Sequence, residues 1–304
     1  MINIIISGGS GFVGSNWVAY SKKFEKYNNI LLKRDEIISP LHSIGSKKSA
    51  FLHLAGKAHD TSKSLKPEAY YEVNTDLTKK LFDDFLISQL DIFIMISSVK
   101  AVSDISNVPL TEEFNPNPVT HYGKSKLLAE QYILGKEIPI GKRVYILRPC
   151  MIHGPGNKGN LNLLFRIVSK GLPWPLGSFE NKRSFCNIEN LCFIINELIE
   201  NDQIPSGVYN VADDNSISTN KLISLIADCQ SKKPHIWNIP KFLIYTIAKI
   251  GDVFRLPLNT ERLQKLTENY IVSNKKIRDA INKPLSFSAE EGLLKTINSF
   301  HNNA

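Results

Sequence analysis

The sequence predicts an α/β protein, a doubly wound parallel sheet with a smaller C-terminal lobe. Three observations predict it. Short all-apolar runs rich in β-branched residues recur through the first half of the chain. Helical apolar patterns separate them, and a glycine triplet joins the first run to the first helical pattern. An apolar run without alternation is how a strand reads when helices cover both faces of its sheet. Strands alternating with helices give parallel pairing through right-handed crossovers.

Ile2 to Ser7 is the first such run, and helical spacing follows from about Phe12 to Phe24. Ile30 to Leu32 and Phe51 to Leu54 read as the next two strands. Asn74 to Leu90 is helical, with Leu77, Leu81, Phe82 and Phe85 on one face. Ile92 to Ile96 is an apolar strand, Tyr122 to Leu134 a helix, and Val144 to Leu147 a strand. After Pro149 the rhythm stops at a loop rich in glycine and asparagine, HGPGNKGN. Val208 to Val211 reads as a late strand that rejoins the sheet. Residues 1–155, with a return of about 185–215, are therefore expected to form the sheet domain, and 156–304 mainly the smaller lobe.

At 304 residues the chain can bury two coupled cores. Its 37 Lys and Arg against 29 Asp and Glu give +8, which fits either an anionic partner or a solvated basic face. The basic residues are dispersed and form no aromatic–basic array, which argues against nucleic acid. Cys150, Cys186, Cys192 and Cys229 form no Cys-x-x-Cys pair or Cys/His array. No metal site is expected, and a reducing compartment is. The N-terminus lacks a basic segment and a cleavage site, so the expected location is the cytoplasm. The nine residues FLIYTIAKI, Phe242 to Ile250, include Lys249 and fall short of the ~20 that span a bilayer. They read as a core-facing amphipathic helix or a peripheral membrane contact.

Gly8, Gly11 and Gly14 stand in SGGSGFVG, directly after a strand and opening a helix. One glycine permits the tight turn, one lets backbone approach a pyrophosphate, and one lets the helix pack on the sheet. Ser10, Phe12 and Val13 share that turn. The strand before and the helix after make this a Rossmann-type dinucleotide site and not a mere glycine-rich connector. NAD enzymes usually place a carboxylate at the end of the second strand, and NADP enzymes a cation. Lys33 falls where the acid is expected and Arg34 follows, which favours NADP(H); Asp35 leaves NAD open.

Tyr122 and Lys126 stand at i and i+4 of one helix. A phenol titrates near 10 and is a poor acid or base at neutral pH. A neighbouring ammonium is expected to lower that value and fit the phenol for proton transfer at a carbinol oxygen. Ser97 and Ser98 end the strand just upstream, where ligands of such sheets bind, and Ser98 can bond the same oxygen.

Taken with FLHLAG, VNTDLT, SSVK, YGKSK, LRPCMIHGPG and NKRSF, these motifs resemble the extended short-chain dehydrogenase/reductases of the UDP-galactose 4-epimerase type over nearly the whole chain. The resemblance implies a Ser98, Tyr122 and Lys126 triad. It implies cofactor contacts at Leu54, Ala55, Gly56, Asn74, Ser97, Pro149 and Met151, and substrate contacts at Lys100, Asn160 and Arg183. Arginine suits a diphosphate because its fork binds phosphate oxygens in pairs. The sequence departs from the family pattern where Val102 and Ser103 replace a Tyr-Gly. Val99 and Lys100 stand where sugar-nucleotide 4,6-dehydratases carry Asp-Glu, which disfavours dehydration. The third strand of the family is not recognisable between Lys33 and Phe51.

The resembling subgroup serves bacterial surface-polysaccharide synthesis. Its activities are NADPH-dependent 4-keto reduction of a UDP-4-keto-6-deoxy (amino) sugar, favoured by Lys33 and Arg34, and UDP-hexose 4-epimerisation with tightly held NAD. A non-catalytic dinucleotide-binding protein is the distant alternative. His59 and His153 border the sugar pocket or are structural. Relatives of this type dimerise through the helices near Asn74 to Leu90 and Tyr122 to Leu134, so a homodimer is expected.

Overall fold

The first apolar run folds as β1 (Ile2–Ser7), buried over its last four residues. The computed structural model describes residues 1–33, 48–58, 66–157, 160–254 and 258–301, without the side chains of Asn160 and His301. Helix α1 (Phe12–Ser21) follows β1, then β2 (Tyr27–Leu32) and β3 (Ser49–His53). The helix expected from Asn74 starts earlier. It runs as α2 (Glu68–Tyr71), a π-helical turn (Glu72–Asp76) and α3 (Leu77–Ile87). Pro67 precedes its first residue, where a proline's missing N–H costs nothing.

Next come β4 (Ile92–Ile96), a 3₁₀ turn (Val99–Ala101), β5 (Ser106–Leu110), α4 (His121–Leu134), β6 (Arg143–Pro149) and β7 (Met151–His153). The remainder comprises α5 (Asn160–Ser169), β8 (Phe185–Asn187), α6 (Ile188–Glu200), β9 (Gly207–Val211), α7 (Thr219–Cys229), α8 (Lys241–Phe254), α9 (Thr260–Thr267), β10 (Tyr270–Val272), α10 (Lys275–Ile281) and α11 (Ala289–His301).

Among the described residues, six parallel strands form one sheet in the order β2-β1-β3-β4-β6-β9. The late strand does rejoin it, with Tyr145 opposite Gly207 and Pro149 opposite Val211. Both faces are covered, as the unbroken apolar runs require. Ile4 and Ile6 pack with Trp17, Leu191 and Leu198 on the α1 and α6 side. Ile5 points the other way, to Phe82, Phe85 and Ile133 of α3 and α4. There Phe93 stacks on Phe51 at 5.5 Å and meets Phe82 edge-on at 5.0 Å.

A third cluster gathers α5, α7, α9 and α11 around Phe165, Ile226, Leu263 and Ile297. Helix α8 joins it through the buried Ile244 and Ala248, with the Tyr245 ring edge-on to Phe179 at 5.7 Å. The expectation of a core-facing helix over FLIYTIAKI therefore holds for one narrow stripe, while Phe242, Leu243, Tyr245, Ile247 and Ile250 stay exposed.

Candidate active site

At the end of β1 the chain turns through Gly8, whose φ of +74° is one that side-chain-bearing residues rarely adopt. A Cβ there would also lie 2.5 Å from the Ala55 amide nitrogen. At Gly14 a Cβ would lie 2.5 Å from the Gly8 carbonyl oxygen, so α1 packs against the turn itself. Gly11 caps α1 and no side chain does, while Ser10 and Gly11 are exposed and Phe12 and Val13 half-buried. An uncapped helix start offers N–H groups and a positive dipole end, which suits a pyrophosphate. The residues present thus fit a dinucleotide.

The Leu54 amide donates to the Ser7 carbonyl at 3.0 Å, which ties the Leu54–Gly56 segment to the same turn. Ser7 pairs with Leu32, so Lys33 emerges beside the glycines. Arg34 and His59 lie outside the described residues.

Helix α4 carries Tyr122, Lys126 and Glu130 at i, i+4 and i+8 on one face. Thr120 fixes its start, its hydroxyl accepting from the Gly123 amide at 3.1 Å. Ser98 caps the 3₁₀ turn, accepting from the Lys100 amide at 3.2 Å, and its hydroxyl lies close enough to Tyr122 to act on the phenol. The Tyr70 ring stands edge-on to Tyr122 at 6.4 Å. Lys126 is buried and donates to the Ile96 carbonyl at 2.9 Å. Gly56 lies so close that a Cβ would be 3.0 Å from the Lys126 Nζ. Asn74 clamps this corner: its carboxamide accepts from the Lys57 amide at 2.8 Å and donates to the Lys57 carbonyl and the Ser125 hydroxyl.

The electrostatics differ from the sequence expectation. Tyr122 is not held below 10. Burial raises it, and the neighbouring Ser98 hydroxyl offsets this only in part. Burial also pushes Lys126 down to about 8, with Glu130 pulling the other way. Both groups occupy one apolar corner, and desolvation disfavours the charged form of each. Nearby His53 is pushed down to about 3, first by burial and then by the Lys126 charge. Its two nitrogens bond the Ser7 and Thr78 hydroxyls.

The two strand-end serines have different tasks. The Ser97 hydroxyl donates to Glu130, which Arg148 grips through Nε and Nη2, the latter at 2.6 Å. Glu130 and Arg148 are buried together between α4 and β6. Ser97 is thus committed to the Glu130 carboxylate that anchors α4 to the sheet.

On the substrate side, the Lys100 ammonium lies 4.7 Å from the Tyr270 ring centre and donates to the Asp104 carbonyl. Burial lowers its pKa, with Asp104 and Glu268 raising it and Arg183 lowering it, so these charges share one basin. Arg183 donates from Nη2 to the Lys265 carbonyl at 2.8 Å, and its buried Nε has no hydrogen-bond partner among the described residues. Asn160 opens α5, but its side chain lies outside the described residues. Pro149 ends β6 and Met151 is exposed at the start of β7. His153 does not border a sugar pocket. It is wholly buried, with Nδ1 2.9 Å from the Thr296 hydroxyl and Nε2 3.4 Å from Asp213.

Sequence reasoning missed Gly123, Tyr70, Glu130, Arg148 and Tyr270. A glycine inside a helical pattern is itself a packing signal. At Gly123 a Cβ would lie 2.3 Å from the Lys100 carbonyl oxygen. This glycine lets the Ser98 turn rest on α4. We expect Gly123→Ala to cost about 1–3 kcal/mol of stability and to slow turnover about tenfold or more. Urea unfolding and steady-state kinetics on the same preparation check both.

A glycine-lined helix start beside a half-buried tyrosine and a buried lysine one helical turn on defines a nicotinamide-dependent enzyme. The sequence model of the NAD dependent epimerase/dehydratase family matches residues 4–212, and the chain belongs to that family. It is 28% identical to the UDP-glucose 4-epimerase of Vibrio cholerae, over 98% of this chain and 95% of that one. It is 26% identical to the GDP-6-deoxy-D-mannose reductase of Pseudomonas aeruginosa, over 74% and 79% of the two chains. The fold matches the crystal structure of UDP-N-acetylglucosamine 4-epimerase from Bacillus cereus with a TM-score of 0.74 at 18% identity, over 100% of this chain and 99% of that one. Epimerases and reductases thus both stand among its relatives, and its cofactor is a nicotinamide dinucleotide.

Proposed function

We propose that the chain is an NADPH-dependent reductase that delivers hydride to C4 of a UDP-linked 4-keto-6-deoxy (amino) sugar, a step in surface-polysaccharide synthesis. The observation that carries this reading is the closeness of the Ser98 and Tyr122 side chains, with the Ser98 hydroxyl acting on the phenol. Burial keeps Tyr122 a neutral phenol, the form that a carbonyl oxygen needs as its proton donor. Ser98 bonds the same oxygen and orients it. Lys126 stabilises the phenolate as the proton leaves, and Glu130 in turn favours the Lys126 charge.

Gly8, Ser10, Gly11, Phe12, Val13 and Gly14 hold the pyrophosphate, and Leu54, Ala55, Gly56, Asn74, Pro149 and Met151 line the rest of the dinucleotide. Lys33 and Arg34 receive a ribose 2′-phosphate. When bound, the nicotinamide supplies the hydride. Arg183, with its spare Nε, and Lys100 attract the substrate diphosphate, and Asn160 completes that side. Two copies pair through α3 and α4, which leave Ile87, Leu128 and Leu134 exposed.

Stopped-flow absorbance with a UDP-4-keto-6-deoxy sugar tests the reading, and stoichiometric loss of NADPH is expected. The second reading, a UDP-hexose 4-epimerase, is favoured by the relative that matches 98% of the chain. It requires one tightly held NAD per chain, released when the purified protein is denatured, and no net redox change.

A further inference from the structure

We propose that α8 docks the protein on an anionic lipid bilayer, lying in the membrane surface. The inference is independent of the reaction catalysed. Only Ile244, Ala248 and Gly251 of this helix are buried. Phe242, Leu243, Ile247, Ile250, Val253 and Phe254 are all exposed, Phe242 at 67%, Val253 at 76% and Phe254 at 71%. At 100° per residue they fall within one arc, away from the three buried positions. Trp237, just before the helix, is 55% exposed. Scattered apolar residues on a surface are ordinary, but a contiguous aromatic and aliphatic face marks an interaction site.

The charge around this face names the partner. Between Asp228 and Asp252 the chain has Lys232, Lys233, Lys241 and Lys249 and no Asp or Glu. Lys232 and Lys233, with His235, Leu172 and Ile223, line a hollow that the Ile236–Ile239 segment joins to α8. Cations beside an in-plane apolar face are the composition of a helix that sits among anionic headgroups. No described helix is long and apolar enough to cross a membrane. Helix α8 packs on α9, whose Lys265 carbonyl accepts from Arg183, so the docking helix is linked to the substrate basin through one intervening helix.

The test uses the full chain and lipid vesicles containing about one third phosphatidylglycerol, against pure phosphatidylcholine. Trp17 and Trp174 are buried, so a fluorescence change reports Trp237. The expected result is flotation with the anionic vesicles and a blue shift of emission. Raising salt from about 0.1 M to about 1 M, and the variant Lys241→Glu/Lys249→Glu, each weaken binding at least about tenfold. Phe242→Glu/Phe254→Glu does the same while near-ultraviolet circular dichroism and nicotinamide binding stay unchanged. Failure of the wild type to float, or equal flotation of the phenylalanine variant, overturns the proposal. So does light scattering in which that variant turns a dimer into monomers while the wild type ignores vesicles, which assigns the face to a second copy.

Discussion

Replacing Tyr122 with phenylalanine is expected to lower turnover by about 10²- to 10⁴-fold while dinucleotide affinity stays within about twofold. The hydroxyl is the only atom lost, and the ring keeps its packing against Tyr70. Without it no phenolic proton donor remains beside Ser98 at the reacting oxygen. Single-turnover rates and nicotinamide titration on the same variant separate the two effects. Equal turnover in the variant and the parent would remove Tyr122 from the chemistry.

Lys126→Met is expected to cost activity about 10³-fold and yet to stabilise the fold at neutral pH. The ammonium is buried, and its pKa falls from 10.5 to about 8. The folded chain therefore gives up this proton more readily than the unfolded chain. Below pH 8 both states hold the proton, and the fold carries the full cost of burying the charge, about 3 kcal/mol at 1.36 kcal/mol per pKa unit. Between about 8 and 10.5 the unfolded state binds more protons, so the parent gains stability as pH rises. Methionine removes the charge but also the bond to the Ile96 carbonyl. We therefore expect a net gain of about 1–3 kcal/mol at pH 7 that vanishes near pH 10.5. Urea unfolding at the two pH values measures it, and a variant less stable than the parent at pH 7 contradicts it.

The sheet was legible because burial on both faces leaves an unmistakable pattern. Ile4, Ile5 and Ile6 all need apolar surroundings, and a strand with one wet face would not tolerate all three. Tyr122 and Lys126 were legible as a pair because helical spacing fixes their shared face. Their protonation was not, since spacing shows that two groups are neighbours but not how much water reaches them. Burial decides the sign at Tyr122, and that burial depends on neighbours from another segment such as Tyr70, whose ring stands edge-on to it. The division of labour between Ser97 and Ser98 was hidden for a similar reason. Adjacent residues of an extended strand point opposite ways, and only the position of Glu130 shows which hydroxyl faces the sheet–helix interface.

The π-helical turn at Glu72–Asp76 bears on how this corner stays assembled. One surplus residue in a continuous helix offsets everything before it by about 100° of rotation. That offset lets a single rod serve two clients. Its later half buries Leu81, Phe82 and Phe85 against the sheet, while its earlier half turns Tyr70 to Tyr122 and Tyr71 to His121. Excising one residue would restore ordinary winding and leave the later half seated. The aromatic cover would then swing off the phenol and admit water to it, so the acidity of Tyr122 is governed in part by helix phase several residues away in another segment.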